Sequence, residues 1–232
     1  MKTDTESTPS PGRRRRAYNS PLRAEQARQT RARIVVAAAG LFAEHGYSAI
    51  TLPAIAAAAG VSVVSVQLNG PKSALLLAAL EQISTGSEGF DSAAEVPEFA
   101  ERAAQITSPA DIIRLTAVFA AASNKRVSKL WLAMDRAADD DADVGNTFRD
   151  LINRMRGDAL TAITAMSAIG SVRADRTPEE LADIYWALPL PDLYHRLVEQ
   201  GGWSIERYTD WLDQTLTELL LPQPDSAPQT EP

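Results

Sequence analysis

A chain of 232 residues that is 45% hydrophobic has room for a real core and excludes a disordered protein, while the absence of cysteine excludes disulfides, thiolate zinc sites and cysteine nucleophiles. Only His45 and His195 remain as imidazole ligands, apolar stretches such as 74–80 fall far short of the ~20 residues of a membrane span, and no apolar run follows the arginines at 13–16 as in a signal peptide, so the expected location is the cytoplasm. The net charge of −7 is uneven: residues 1–80 hold ten Lys or Arg against four Asp or Glu, and the remainder holds 13 against 26. A basic end on an acidic body suits a protein that docks one end onto a polyanion, and a solubilising tail would give the same tilt.

Residues 1–24 mix Ser, Pro, Gly and Thr with the four-arginine run and read as a disordered basic arm. From 27 to 44, Ile34, Val35, Ala38, Leu41 and Phe42 recur at helical spacing, and Gly46 supplies the stop. Thr51 can cap a second short helix that tolerates Pro53 in its first turn and ends at Gly60. Ser62 can cap a third, over 63–68, and Gly70 with Pro71 opens a fourth over 72–83. This 25–83 unit is followed by a Ser-, Gly- and Pro-rich join to 108 that holds a brief helix near 98–105. Helices are then expected over 109–123, 127–138, 143–168, 177–187 and 193–199, the last resuming after Pro189 and Pro191. A final helix from the Ser204 cap to 220 carries Ile205, Tyr208, Leu212, Thr215, Leu216 and Leu219 in one apolar stripe, and 223–232 reads as a disordered tail. The predicted class is all-α, with an N-terminal helix-turn-helix unit and a C-terminal helical unit over 84–222.

The segment 52–69 decides the reading. Two short helices joined by a tight turn meet at a steep angle, so small residues must sit where they cross. Ala56 and Gly60 meet that need, and Ile55, Ala59, Val61 and Val66 form the wedge that fixes the second helix with its other side in solvent. With the basic flank, this is the pattern of a DNA-binding helix-turn-helix. In such a unit the N-terminal residues of the second helix reach base edges, here Val63, Val64, Ser65 and Gln67. The valine methyls suit thymine, Gln67 suits adenine or a phosphate, and no Arg is present to read guanine. Thr51, Ser62 and Lys72 stand at helix N-termini, where amides attract phosphate, and the same positions serve as helix caps. Arg31 and Asn69 flank the motif and complete the candidate DNA-binding set.

The run ARIVVAAAGLFAEHGYSAITLPAIAAAAGVSVVSV resembles the DNA-binding domain of the tetracycline-repressor (TetR) family, at Arg31, Leu41, Phe42, Gly46, Tyr47, Thr51, Ile55, Ala56, Ala59, Gly60, Val61 and Ser62. The stretch YWALPLPDLYHRLVEQGGWSIERYTDWL is similar to the closing helices of actinobacterial members. The chain departs from the family where aromatic residues usually end the recognition helix, having Gln67, Leu68, Asn69 and Gly70 instead. The resemblance implies a homodimer on double-stranded operator DNA, joined through the C-terminal helices, with 177–199 and the 204–220 stripe forming a two-fold four-helix interface. It implies also a pocket for a small-molecule effector in the acidic body, whose pull on operator binding would pass through 72–83, the only rigid connection expected between the two halves.

Candidate pocket residues are Trp131, Met134, Phe148, Met155, Tyr185 and Trp186, each of which could equally be core. They suggest an apolar or amphipathic effector. The acids at 139–141 and 143 lack the Gly and terminal Glu of a calcium loop and read as a solvated turn and helix-start charge. No catalytic motif, cofactor loop or metal set is present, so neither enzyme activity nor a cofactor is expected. The alternative is a ligand receptor or interaction protein of the same fold with weak or no specific DNA binding.

Overall fold

The computed structural model describes residues 21–85 and 96–222, which form helices and connecting turns without a strand among them. Four helices make an N-terminal head: α1 (Pro21–His45), α2 (Leu52–Ala59), α3 (Val63–Gln67) and α4 (Lys72–Thr85). The body follows as α5 (Pro97–Ala103), α6 (Pro109–Asp140), α7 (Ala142–Ile169), α8 (Pro178–Ala187), α9 (Pro191–Tyr194) with a π-helical continuation His195–Gln200, and α10 (Ile205–Leu220). The all-α architecture expected from the periodicity is the one observed. The basic residues 13–16 and the tail 223–232 lie outside the described residues, and residues 21–24, expected in a disordered arm, form the first turn of α1 with Pro21 at its start.

The expected caps form at Thr51, Ser62, Thr177 and Ser204, and Ser108 adds one at the start of α6; each accepts a backbone N–H of the helix that follows, and Thr177 with Glu180 completes a capping box. Gly60 ends α2 at φ 65, a left-handed conformation that any side chain would strain.

One expected boundary is absent. The polar run at 123–126 predicts a break, yet α6 passes through it as part of a continuous 32-residue helix. Ser123 and Asn124 face inward there. The Ser123 hydroxyl pairs with that of Ser84 on α4, and Asn124 donates its amide to the Pro189 carbonyl. Polar residues that look like a loop are therefore satisfied inside the fold, where leaving them unpaired would cost about 1–3 kcal/mol each.

The α6 and α7 helices run antiparallel as the spine of the body. Their turn end is close enough that a Cβ on Gly145 would lie 2.8 Å from the Ala138 carbonyl oxygen, and at the far end one on Gly170 would meet the Pro109 ring at 2.6 Å. Two apolar clusters hold the structure. The first joins head to body, uniting Ile34, Phe42, Ile55 and Leu76 with Trp131, Met134 and Val144. The second lies in the body and contains Ile113, Ile163, Leu181, Tyr194 and the inner face of α10.

That second cluster takes up the apolar stripe expected to face a partner subunit. Tyr208, Leu212, Leu216 and Leu220 are fully buried against this chain's own helices. An apolar stripe signals burial without saying against what, and here the nearer partner takes it.

Candidate nucleic-acid interface and ligand cavity

The helix-turn-helix is built on Ile55, Ala56, Ala59 and Val66, all buried between α1 and α4. The turn is fixed by Gly60 N–H to the Ala57 carbonyl and Val61 N–H to the Ala56 carbonyl. Ser62 Oγ accepts the Ser65 N–H at 3.1 Å, with the two hydroxyls 2.8 Å apart. These contacts turn one side of α3 outward. Val63 is exposed, Val64 is 62% exposed, and Gln67 stands in solvent beside them. Leu68 is 83% exposed at the end of the same helix, the most exposed large apolar side chain among the described residues.

Three cations of the head are engaged with the chain's own backbone. Arg33 donates to the Ala59 and Gly60 carbonyls at 2.7 and 2.8 Å, closing the C-terminal end of α2. Arg31 donates to the Asn69 carbonyl at 3.0 Å, just past α3, and Asn69 itself donates to the Ser65 carbonyl. Lys72 reaches the Tyr47 and Ile50 carbonyls at 3.0 and 3.1 Å, its ammonium 3.9 Å above the Tyr47 ring. Each positive charge meets carbonyls at a helix end or turn, where the backbone dipole favours it. Of the nine candidate DNA residues, the structure brings Val63, Val64 and Gln67 together on one solvent face. Thr51, Ser62 and Ser65 stand at the caps beside it, and Arg31, Asn69 and Lys72 are clamps behind it.

Head and body meet at a second joint besides α4. The Tyr47 hydroxyl donates to Asp141 Oδ2 at 3.0 Å, and Asp141 caps α7 by accepting the Asp143 and Val144 N–H groups through its other oxygen. The Val144 N–H, with the Tyr47 hydroxyl next, holds the Asp141 carboxyl below the usual carboxylate range. The expectation that α4 alone is rigid is thus corrected, because Tyr47, in the turn after α1, is tied to the α6–α7 corner.

A cavity of about 440 Å³ opens among α4, α5, α6, α7 and α8. Trp131, Met155, Tyr185 and Trp186 line it as expected from their amphipathic character. Met134 and Phe148 do not. Met134 is fully buried in the cluster between head and body, and Phe148 packs edge-on behind Trp131, the ring centres 5.0 Å apart. Sequence reasoning missed Phe99, Phe119 and three charged residues, Glu81 on α4 and Arg154 and Asp158 on α7. The signal was available, since Arg154 and Asp158 sit one helical turn apart among Leu151, Met155, Ala159 and Ala162. Arg154 Nη2 lies 3.5 Å from Glu81 Oε1, bridging α7 to α4. Thr116 hydrogen-bonds Tyr185, whose hydroxyl burial pushes up to about 12, and the Trp131 indole donates to Asp192 at 2.6 Å.

A head with an outward-facing second helix of a tight two-helix turn, set on a helical body with a cavity, is the architecture of a helix-turn-helix protein. Residues 34–66 match the family model of bacterial regulatory proteins, tetR family, and the described residues share the fold of solved TetR-family structures. It is similar to the complex of SmeT with triclosan (TM-score 0.64, 21% identity, covering 88% of this chain and 97% of that one). A regulator from Saccharomonospora viridis in complex with choline gives TM-score 0.63 at 18% identity, covering 84% and 100%. NalD of Pseudomonas aeruginosa, the secondary repressor of the MexAB-OprM multidrug efflux pump, gives 0.61 at 17%, covering 85% and 99%. No curated protein sequence matches the chain. Among the described residues no helix is long and apolar enough to cross a membrane.

Proposed function

We propose that the protein is a transcriptional repressor that binds a pseudo-palindromic operator as a homodimer and leaves it when a small amphipathic effector enters the body cavity. The observation that carries this reading is the solvent face of α3, where Val63, Val64 and Leu68 are exposed on a helix whose other side is locked into the core. Exposed valine and leucine side by side on a rigid, capped helix are placed to meet a partner surface, and in a major groove they meet thymine methyls while Gln67 pairs with adenine. Thr51, Ser62, Ser65 and the α2 start contact phosphate, and the arginines at 13–16 follow the backbone or the minor groove. Arg31, Asn69 and Lys72 act in DNA binding by fixing the pose of α3.

Two such helices enter successive major grooves only when held about 34–36 Å apart. An effector that displaces α4 against the body spoils that spacing, and linkage requires operator DNA to weaken effector binding by the same factor. The complexes with triclosan and choline among structures of this fold support a small-molecule effector. The second reading, a receptor of this fold without specific DNA binding, is favoured by one observation: Arg31, Arg33 and Lys72 hold carbonyls of their own chain.

Fluorescence anisotropy against the DNA upstream of the protein's own gene, at several salt concentrations, separates the two. A regulator gives specific binding with a negative slope of log K on log salt, near 0.9 per phosphate contact, and deletion of residues 1–20 makes the slope shallower. Equal affinity for operator and scrambled DNA would leave the receptor reading standing.

A further inference from the structure

The charge lining the cavity is not balanced. Among the described residues, Glu81 from α4 and Asp158 from α7 face it together with a single cation, Arg154, while α5, α6 and α8 contribute no charged side chain to the wall. The guanidinium bridges to Glu81 at 3.5 Å and is the more solvated partner, its side chain 36% exposed against 18% for Glu81. The uncharged polar groups of the wall are already engaged within the protein. Thr116 pairs with Tyr185, Ser123 with Ser84, and Asn124 with the Pro189 carbonyl. The formal charge that remains on the wall among the described residues is negative, two carboxylates against one guanidinium.

Around them stand the rings of Phe99, Phe119, Trp131, Tyr185 and Trp186. Aromatic faces attract a cation within about 6 Å, and more strongly once it is desolvated. An anion here would meet two carboxylates for one guanidinium. A neutral apolar guest would desolvate Glu81 and Asp158 with nothing in return.

We propose that the effector is a cationic amphiphile, a quaternary or protonated amine on a compact apolar body, seated with its charge toward Glu81 and Asp158. The proposal rests on the effector reading of the cavity and names the ligand class. It also gives that ligand a route to the head. A cation against Glu81 competes with Arg154, and the contact it weakens is a bridge between α7 and α4, the helix that directly follows the recognition segment.

The test is a charge series of one shape on the full chain: benzyltrimethylammonium, its uncharged carbon isostere neopentylbenzene, and phenylmethanesulfonate, titrated by calorimetry and by tryptophan fluorescence. The cation should bind at least tenfold more tightly than either of the others. Glu81→Gln and Asp158→Asn should each shrink that preference severalfold while leaving the affinity for neopentylbenzene unchanged. Equal or tighter binding of the neutral or anionic compound overturns the charge assignment and leaves the cavity an effector site. Failure of all three to bind at millimolar concentration overturns the effector reading and this inference with it.

Discussion

The head and the body solve the same problem, burying apolar helix faces, by different means. In the head, α2 and α3 are eight and five residues long, too short to persist alone, and every end is closed by a side chain: Thr51 and Ser62 at the starts, Arg33 and Arg31 at the finishes. The body uses helices of 32 and 28 residues whose ends matter less, and it leaves a cavity between them. The head is over-determined so that one helix face is presented in a fixed pose. The body instead leaves a cavity of about 440 Å³ between its helices. Close-packed cores transmit strain, so a change in the cavity reaches the head through the shared cluster around Trp131 and Met134.

The contrast is broken most severely in the body. Leu216→Asp places a charge where the side chain has no exposure and no cationic partner, which should cost about 4 kcal/mol or more and lower the melting temperature by roughly 10 °C. Circular dichroism checks this. A variant that melts like wild type but sediments as a smaller species would instead return α10 to a dimer interface. The head gives the opposite pattern. Val64→Asp, at a 62% exposed position, should leave unfolding within about 0.5 kcal/mol of wild type. It should nevertheless weaken operator binding by about a hundredfold, or roughly 2.8 kcal/mol, by setting a carboxylate against the DNA. Stability loss equal to that of Leu216→Asp would mean that α3 is core.

This division also explains what was legible. Caps, glycine turns and small crossing residues are local signals, so α2, the turn and α3 could be read nearly residue by residue from Thr51 to Leu68. The same signals could not say where Arg31 and Lys72 point, because their partners, Asn69 and Tyr47, come from other parts of the chain. In the body the periodicity marked each stripe but not its partner. Leu212 and Leu216 therefore read as an interface although α6 and α8 cover them, and Ser123 with Asn124 read as a break although Ser84 and Pro189 satisfy them. The cavity escaped for the same reason: four of its six expected wall residues were found by type, while Glu81 joins Arg154 only through the packing of α4 on α7.

The joint between the two regions offers the subtlest test. Tyr47→Phe removes only the hydroxyl that donates to Asp141 and keeps the ring that supports Lys72 and packs against Phe42, so a lowering of the melting temperature by a few degrees is expected, with operator affinity little changed. Its pH dependence is more telling. A carboxyl held below its ordinary value contributes stability above that value, near 4, and loses it as pH falls through the depressed one. For Asp141 the Val144 amide is the larger cause, so the acid limb of the stability curve should flatten only in part in Tyr47→Phe. The tyrosine acts in the other direction. Burial, with Asp141 adding to it, raises the Tyr47 hydroxyl, a shift whose stabilisation is complete below the ordinary tyrosine value near 10 and is lost as pH climbs through the raised one. The substitution removes that contribution, while Tyr185 and Tyr208, both pushed up to about 12 chiefly by burial, keep an alkaline limb in place. Thermal melts from pH 3 to 11 should therefore show wild type and variant converging at both extremes and separated most in the middle. A constant separation across the whole range would mean that the hydroxyl contributes through packing and that the joint between α1 and the α6–α7 corner is not electrostatic.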